Sequence, residues 1–87
     1  MQAQAQYTPN PNAVKFVADQ SLFEGSRSIH GKKGDDMSHP LLKGILALDG
    51  VESIMAYDDF VSVNKSEPAN WEELEPAILD VFISYNK

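Results

Sequence analysis

Between Val51 and Lys65 the chain alternates aliphatic side chains with polar or aromatic ones on both sides of Asp58-Asp59, a pattern that few folds can use. Folding the segment back at Asp58-Asp59 pairs Ala56 with Val61, Ile54 with Val63 and Glu52 with Lys65 on one face. Met55, Tyr57, Phe60, Ser62 and Asn64 take the other. Ile54, Ala56, Val61 and Val63 form the cleaner apolar set. A slip of one residue would turn all four outward, so the register of this hairpin is strongly specified. The hairpin therefore needs a covering layer on its aliphatic side and leaves Met55, Tyr57 and Phe60 on the more exposed one.

Further strands are expected upstream. Gln2 to Tyr7 alternates Gln and Ala and suits an edge strand. Pro9 and Pro11 lack N–H donors, and each drives the preceding residue toward extended backbone, so Thr8 to Asn12 reads as a connector or wide turn. Ala13 to Ala18 reads as a second strand, with Val14 and Phe16 on one face and Lys15 and Val17 on the other. Ser26 to His30 is a weaker third candidate, followed by Gly31 to Asp36, a loop by composition.

Two helices complete the pattern. Ser38 is expected as an N-cap, with Pro40 in the first turn and Leu41, Leu42, Ile45 and Leu46 on one face. Asp49-Gly50 is the expected stop, glycine suiting a left-handed terminal position. Asn70 and Glu73 have capping-box spacing ahead of the stripe Trp71, Leu74, Ile78, Val81, Phe82 and Tyr85. Pro76 falls inside that stripe and predicts a tight turn or a kink. The order of elements predicts one α+β domain: a two-layer sandwich, a mainly antiparallel sheet of four to five strands, and both helices on one face.

The 87 residues include no cysteine, so this stretch must rest on packing without disulfides or Cys-based zinc sites. Charge is unevenly placed. Residues 1–34 carry four basic and two acidic side chains, residues 35–87 three basic and eleven acidic. That balance disfavours nucleic acid as a partner, since phosphate binding draws on Lys and Arg. No basic patch followed by an apolar run opens the sequence, and no apolar run approaches the ~18 residues of a membrane span. The expectation is a soluble, cytoplasmic, monomeric protein.

Thr8-Pro9-Asn10-Pro11-Asn12-Ala13-Val14-Lys15-Phe16 resembles the opening of the Nfu/NifU-type N-terminal domain. Further blocks follow in the family's order. Ser38-His39-Pro40-Leu41 is similar to the Ser-Pro-Leu start of its first helix, with His39 inserted, and Asp49-Gly50-Val51-Glu52-Ser53-Ile54 to its Pro-Gly-Val-x-x-Val turn. Asp59 to Lys65 resembles its Asp-Phe-Ile-Thr-Val-x-Lys strand, and Trp71 to Ile78 its Trp-x-x-Leu-x-Pro-x-Ile helix, Pro76 included. The resemblance implies a free-standing accessory or interaction module in iron–sulfur cluster assembly, meeting assembly or client proteins. Scaffolds of that family bind their cluster through a Cys-x-x-Cys motif in a second domain. These residues supply no thiolate, the ligand such clusters need, and no cofactor of their own is expected.

Candidate chemistry is sparse. Gly25 to Lys33 departs from a phosphate loop, with five residues between Gly25 and Gly31 and Lys33 where the hydroxyl should stand. His30, Asp35, Asp36 and His39 are of types that ligate iron or zinc, so a small metal-binding or iron-delivery protein is the alternative function. Their spacing matches no tight ligand pattern, and exposed loop residues are the simpler reading. Asp58-Asp59 suits a turn better than paired acid–base work, which needs carboxylates facing each other across a substrate. No nucleophile, base and orienting acid stand together, and no enzyme is expected. Two segments are candidates for partner contact. Thr8, Asn10, Asn12 and Lys15 either shape a chain reversal or meet a partner; Met55, Tyr57 and Phe60 offer an exposed sheet face.

Overall fold

A computed structural model describes residues 2–23 and 27–85. Five strands, β1 (Ala3–Tyr7), β2 (Ala13–Ala18), β3 (Ile29–Lys32), β4 (Val51–Tyr57) and β5 (Phe60–Lys65), pair antiparallel in the order β1-β2-β5-β4-β3. Helices α1 (Pro40–Leu46) and α2 (Trp71–Tyr85) cover one face. The expected α+β two-layer sandwich is the observed one. No helix among the described residues is long and apolar enough to cross a membrane.

The core follows strand parity. Val14 and Phe16 of β2, Ile54 and Ala56 of β4, and Val61 and Val63 of β5 turn to the helices and are buried. Leu41, Leu42, Ile45 and Leu46 of α1 and Leu74, Ile78 and Phe82 of α2 meet them. The β4–β5 hairpin pairs Ala56 with Val61 and Ile54 with Val63, as its alternation demands. Asp58 adopts φ 51° at the tip, a left-handed conformation that Asp tolerates better than most residues.

Several local expectations need correction. At the open end of the hairpin, the register shifts between Val51 and Ser53, so Val51 rather than Glu52 lies opposite Lys65. This bulge buries Val51 and leaves Glu52 in solvent. The third strand lies later than Ser26 to His30: it begins at Ile29 and continues through Gly31 and Lys32, which were expected in a loop. Ser26 itself lies outside the described residues. Gly31 is buried opposite Ile54, and a Cβ there would stand 2.8 Å from Met37 Sδ, so the missing side chain admits Met37.

The N-cap of α1 is His39, not Ser38, and no side chain among the described residues caps the helix; Pro40 at the first position needs no N–H partner. The helix stops at Leu46, ahead of Asp49-Gly50. Gly50, at φ 97°, instead turns the chain into β4, and a Cβ there would lie 2.9 Å from Ala69 Cβ. Asn70 does cap α2, its Oδ1 accepting the Glu72 N–H at 2.9 Å, but no hydrogen bond from the Glu73 side chain completes the box among the described residues. The helix runs through Pro76 without interruption.

Candidate interaction surface

Strand register builds the uncovered sheet face row by row. One row runs Gln4, Val17, Phe60, Tyr57 across β1, β2, β5 and β4. The next runs Gln6, Lys15, Ser62, Met55, His30 and reaches β3. A third joins Ala13, Asn64, Ser53 and Lys32, with Asn64 Nδ2 donating to Ser53 Oγ at 3.2 Å. No described element covers these rows.

The centre of the face is aromatic and cationic. Tyr57 and Phe60 face each other across the hairpin with ring centroids 6.2 Å apart. Lys15 Nζ stands 4.3 Å from the Phe60 ring centre, a cation–π contact that lays the lysine stem along the sheet. Tyr57 is 38% exposed, while Met55, Phe60 and Lys15 are half-buried among their neighbours. An apolar area of aromatics and Met with one lysine held over a ring suits contact with another protein, since aromatics and Met are enriched in interfaces.

Thr8, Asn10 and Asn12 are not part of this surface. Thr8 Oγ1 lies 2.9 Å from the Ala13 carbonyl and 3.0 Å from that of Asn10, and it accepts the Asn10 N–H at 3.1 Å. Asn10 Oδ1 accepts the Asn12 N–H at 2.9 Å, and Asn12 Oδ1 accepts from Lys65 Nζ at 3.1 Å. Trp71 Nε1–H donates to the Pro11 carbonyl at 2.9 Å, fastening the turn to α2. These side chains shape the chain reversal, as Asn and Thr do in turns. Lys15, grouped with them in sequence, belongs to the open face.

The four candidate metal ligands do not converge. His30 sits on the open face beside Met55, its Nε2 2.8 Å from Ser28 Oγ. Asp35 Oδ2 accepts the Lys32 N–H at 2.9 Å and closes the turn after β3, and Asp36 is exposed. His39 is half-buried on the helical side rather than exposed in a loop. Its ring packs between Phe23, at 4.9 Å, and Tyr85, at 5.4 Å. Its Nε2 is 3.4 Å from the Tyr85 hydroxyl, its Nδ1 is buried with no hydrogen-bond partner among the described residues, and burial pushes its pKa down. Among the described residues no three His, Cys, Asp or Glu side chains gather in a way that could hold a metal ion.

One further contact escapes sequence patterning. The Tyr7 hydroxyl donates a short hydrogen bond to Glu75, tying β1 to α2, and that acceptor raises the phenol pKa. Only the three-dimensional path of α2 brings these residues together.

Residues 3–87 match the family described as "Scaffold protein Nfu/NifU N terminal". The chain belongs to this family. NifU-like protein 5, mitochondrial, of Arabidopsis thaliana is 35% identical over 82 residues, an alignment covering 94% of this chain and 30% of that protein. The mitochondrial NifU-like protein of Saccharomyces cerevisiae is 38% identical over 81 residues, covering 85% of this chain and 32% of its own. The human NFU1 iron-sulfur cluster scaffold homolog, mitochondrial, is 32% identical over 86 residues, with coverage of 93% and 34%. The chain thus spans about a third of the length of these relatives. All three relatives carry mitochondrial names.

Solved structures agree with the fold. The crystal structure of protein SAV1430 from Staphylococcus aureus superposes with a TM-score of 0.84 at 37% identity, covering 94% of this chain and 99% of that one. The solution structure of the S. cerevisiae NifU-like protein gives 0.80 at 35% identity, covering 97% and 76%.

Proposed function

We propose that this Nfu/NifU N-terminal domain acts in iron–sulfur cluster assembly as a non-enzymatic interaction module, holding an assembly or client protein on its open sheet face. Relatives named as iron–sulfur cluster scaffolds support the process, and the cluster of Lys15, Phe60, Tyr57 and Met55 from two adjacent rows supports the surface. The observation that carries the reading is the contrast between faces. One side of the sheet is filled by both helices, while the other leaves an aromatic pair with a lysine across it uncovered. These 87 residues contain no cysteine, so their contribution is contact rather than thiolate ligation of a cluster. The surface assembles no nucleophile with an oriented base. Ser28 and His30 do meet at 2.8 Å, yet on an exposed strand end where no carboxylate hydrogen-bonds the ring among the described residues.

Affinity capture with the immobilised domain tests this. Tyr57→Ala and Met55→Ala should each reduce recovery of iron–sulfur assembly or cluster-requiring proteins several-fold. Recovery unchanged by both would place the contact away from the sheet face; recovery of only unrelated proteins would remove the proposed process.

A further inference from the structure

The two edges of the sheet are unlike each other. The short edge strand β3 carries His30 and Lys32, and a charged side chain discourages further strand pairing. The opposite edge, β1, reads Ala-Gln-Ala-Gln-Tyr, with no charge, proline or bulge between Ala3 and Tyr7.

Two hydrogen bonds show where the β1 backbone points. The Asp19 N–H reaches the Gln2 carbonyl at 3.1 Å, while the preceding Ala18 N–H turns the other way, to the Asp59 carbonyl at 2.7 Å. Antiparallel ladders alternate, so Gln2, Gln4 and Gln6 bond to β2, and Ala3, Ala5 and Tyr7 direct their N–H and C=O groups away from the sheet. Among the described residues no group takes these up.

Apolar surface flanks the same edge. Tyr7 is 65% exposed and Ile83 is 48% exposed. Glu75, Leu79 and Ile83 succeed one another at four-residue spacing along α2, and Glu75 accepts the Tyr7 hydroxyl, so this stripe overlooks β1.

We propose that β1 is a self-pairing edge: a second copy of this chain adds its own β1 antiparallel across a two-fold axis at Gln4, joining the two sheets. The segment Gln2 to Gln6 reads the same in both directions, so a two-fold axis at Gln4 sets like residues opposite one another, alanine on alanine and glutamine on glutamine. Ala3 of one copy then faces Ala5 of the other, and their outward N–H and C=O groups bond reciprocally. The two Gln4 side chains lie side by side, each with an amide donor and acceptor for the other. On the helical side, the Leu79 and Ile83 stripes approach across the seam. Charge favours this edge over other meeting points. Two chains of net charge −6 repel, and β1 brings no charged side chain to the axis, Glu75 lying at the Tyr7 end. A five-residue strand seam is short beside stable interfaces, which bury roughly 1,200 Å² or more, so the pair is expected in exchange with free copies and replaces the expected monomer only at high concentration.

Sedimentation of the 87-residue chain between ~20 µM and ~1 mM is the test, bracketing the weak association that so small a seam implies. The weight-average mass should rise toward the dimer, and the Ala3 and Ala5 amides should exchange more slowly as concentration rises. The Gln4 and Gln6 amides, bonded to β2 in either state, should change little. Ala5→Pro deletes an outward N–H at an edge position where proline is tolerated, and Gln4→Lys sets like charges at the axis. Each should weaken association at least tenfold while keeping the native circular dichroism spectrum. If Ala5→Pro fails to fold, Gln4→Lys decides alone, its side chain being exposed. A wild-type chain that stays monomeric throughout, or a dimer indifferent to Gln4→Lys, would overturn the proposal. So would protection of Ala3 and Ala5 that appears only on adding another protein, since the edge would then belong to a different strand.

Discussion

Replacing Trp71 should separate two contributions at the point where α2 meets the β1–β2 turn. Its indole donates to the Pro11 carbonyl at 2.9 Å, and its ring lies 6.3 Å from that of Phe16. Trp71→Phe removes the donor and keeps most of the packing, so its cost is that of one hydrogen bond, about 1 kcal/mol. Trp71→Ala removes both. Full burial would make that loss roughly 3–5 kcal/mol, but Trp71 is half-buried, so about 2–3 kcal/mol is expected. In a domain of this size 1 kcal/mol displaces the melting temperature by about 4–8 °C, which makes the two variants distinguishable. Trp71 is the chain's sole tryptophan, so unfolding must be followed by circular dichroism rather than by intrinsic indole fluorescence. Equal stability of wild type, Trp71→Phe and Trp71→Ala would refute the reasoning. Equal losses in the two variants would show that the bond to Pro11, and not the ring, fastens the turn.

Other perturbations have signs that can be stated in advance. Ile54→Ala empties a buried site and should cost about 2–5 kcal/mol in urea denaturation, whereas Tyr57→Ala on the open face should shift stability by less than about 0.5 kcal/mol; the reverse order would invert the face assignment. Gly50→Ala forces a left-handed backbone on alanine and drives a methyl to 2.9 Å from Ala69 Cβ, so a loss of about 2 kcal/mol or more is expected by thermal melting. Burial lowers the pKa of His39 in the folded state below its ordinary value of 6.5, so the unfolded chain takes up the proton first as pH falls. His39 therefore contributes stability that is fully present above pH 6.5 and lost as pH drops through its lowered folded pKa; urea titrations between about pH 8 and 5 should show this slope, and His39→Phe should remove it.

Alternation made much of the sheet legible. The Ala13–Ala18 strand, the pairing of Ile54 with Val63 and of Ala56 with Val61, and the exposure of the Met55–Tyr57 side all follow from a period of two against one buried face. What escaped was set by contacts distant in sequence. Gly31 and Lys32 read as loop because glycine usually breaks a strand, yet Met37 fills the space that a side chain at Gly31 would need. The shift at Val51 and Ser53 had no local signal, since alternation predicts Glu52 opposite Lys65 and only the packing of Val51 favours the bulge. His39 read as a loop residue because nothing nearby announces that Phe23 and Tyr85 close on its ring.

The interaction surface was half legible for the same reason. Parity placed Met55, Tyr57 and Phe60 together, and it placed Lys15 opposite to Val14 and Phe16 on β2. It could not bring Lys15 to Phe60, because the β2–β5 register joins residues far apart in the chain. In sequence Lys15 falls with Thr8, Asn10 and Asn12, whose side chains build the chain reversal.

Site-specific photo-crosslinking tests the central claim most directly. A photoreactive phenylalanine at Tyr57, and separately at Asp80 on the helical side, would be irradiated in extract and the adducts identified by mass spectrometry. Both positions are exposed, so neither probe should disturb the core. The account predicts adducts of iron–sulfur assembly or cluster-requiring proteins from position 57, lost on competition with unlabelled wild-type domain and retained against Tyr57→Ala competitor. Adducts of those proteins from position 80 with none from position 57 would contradict it.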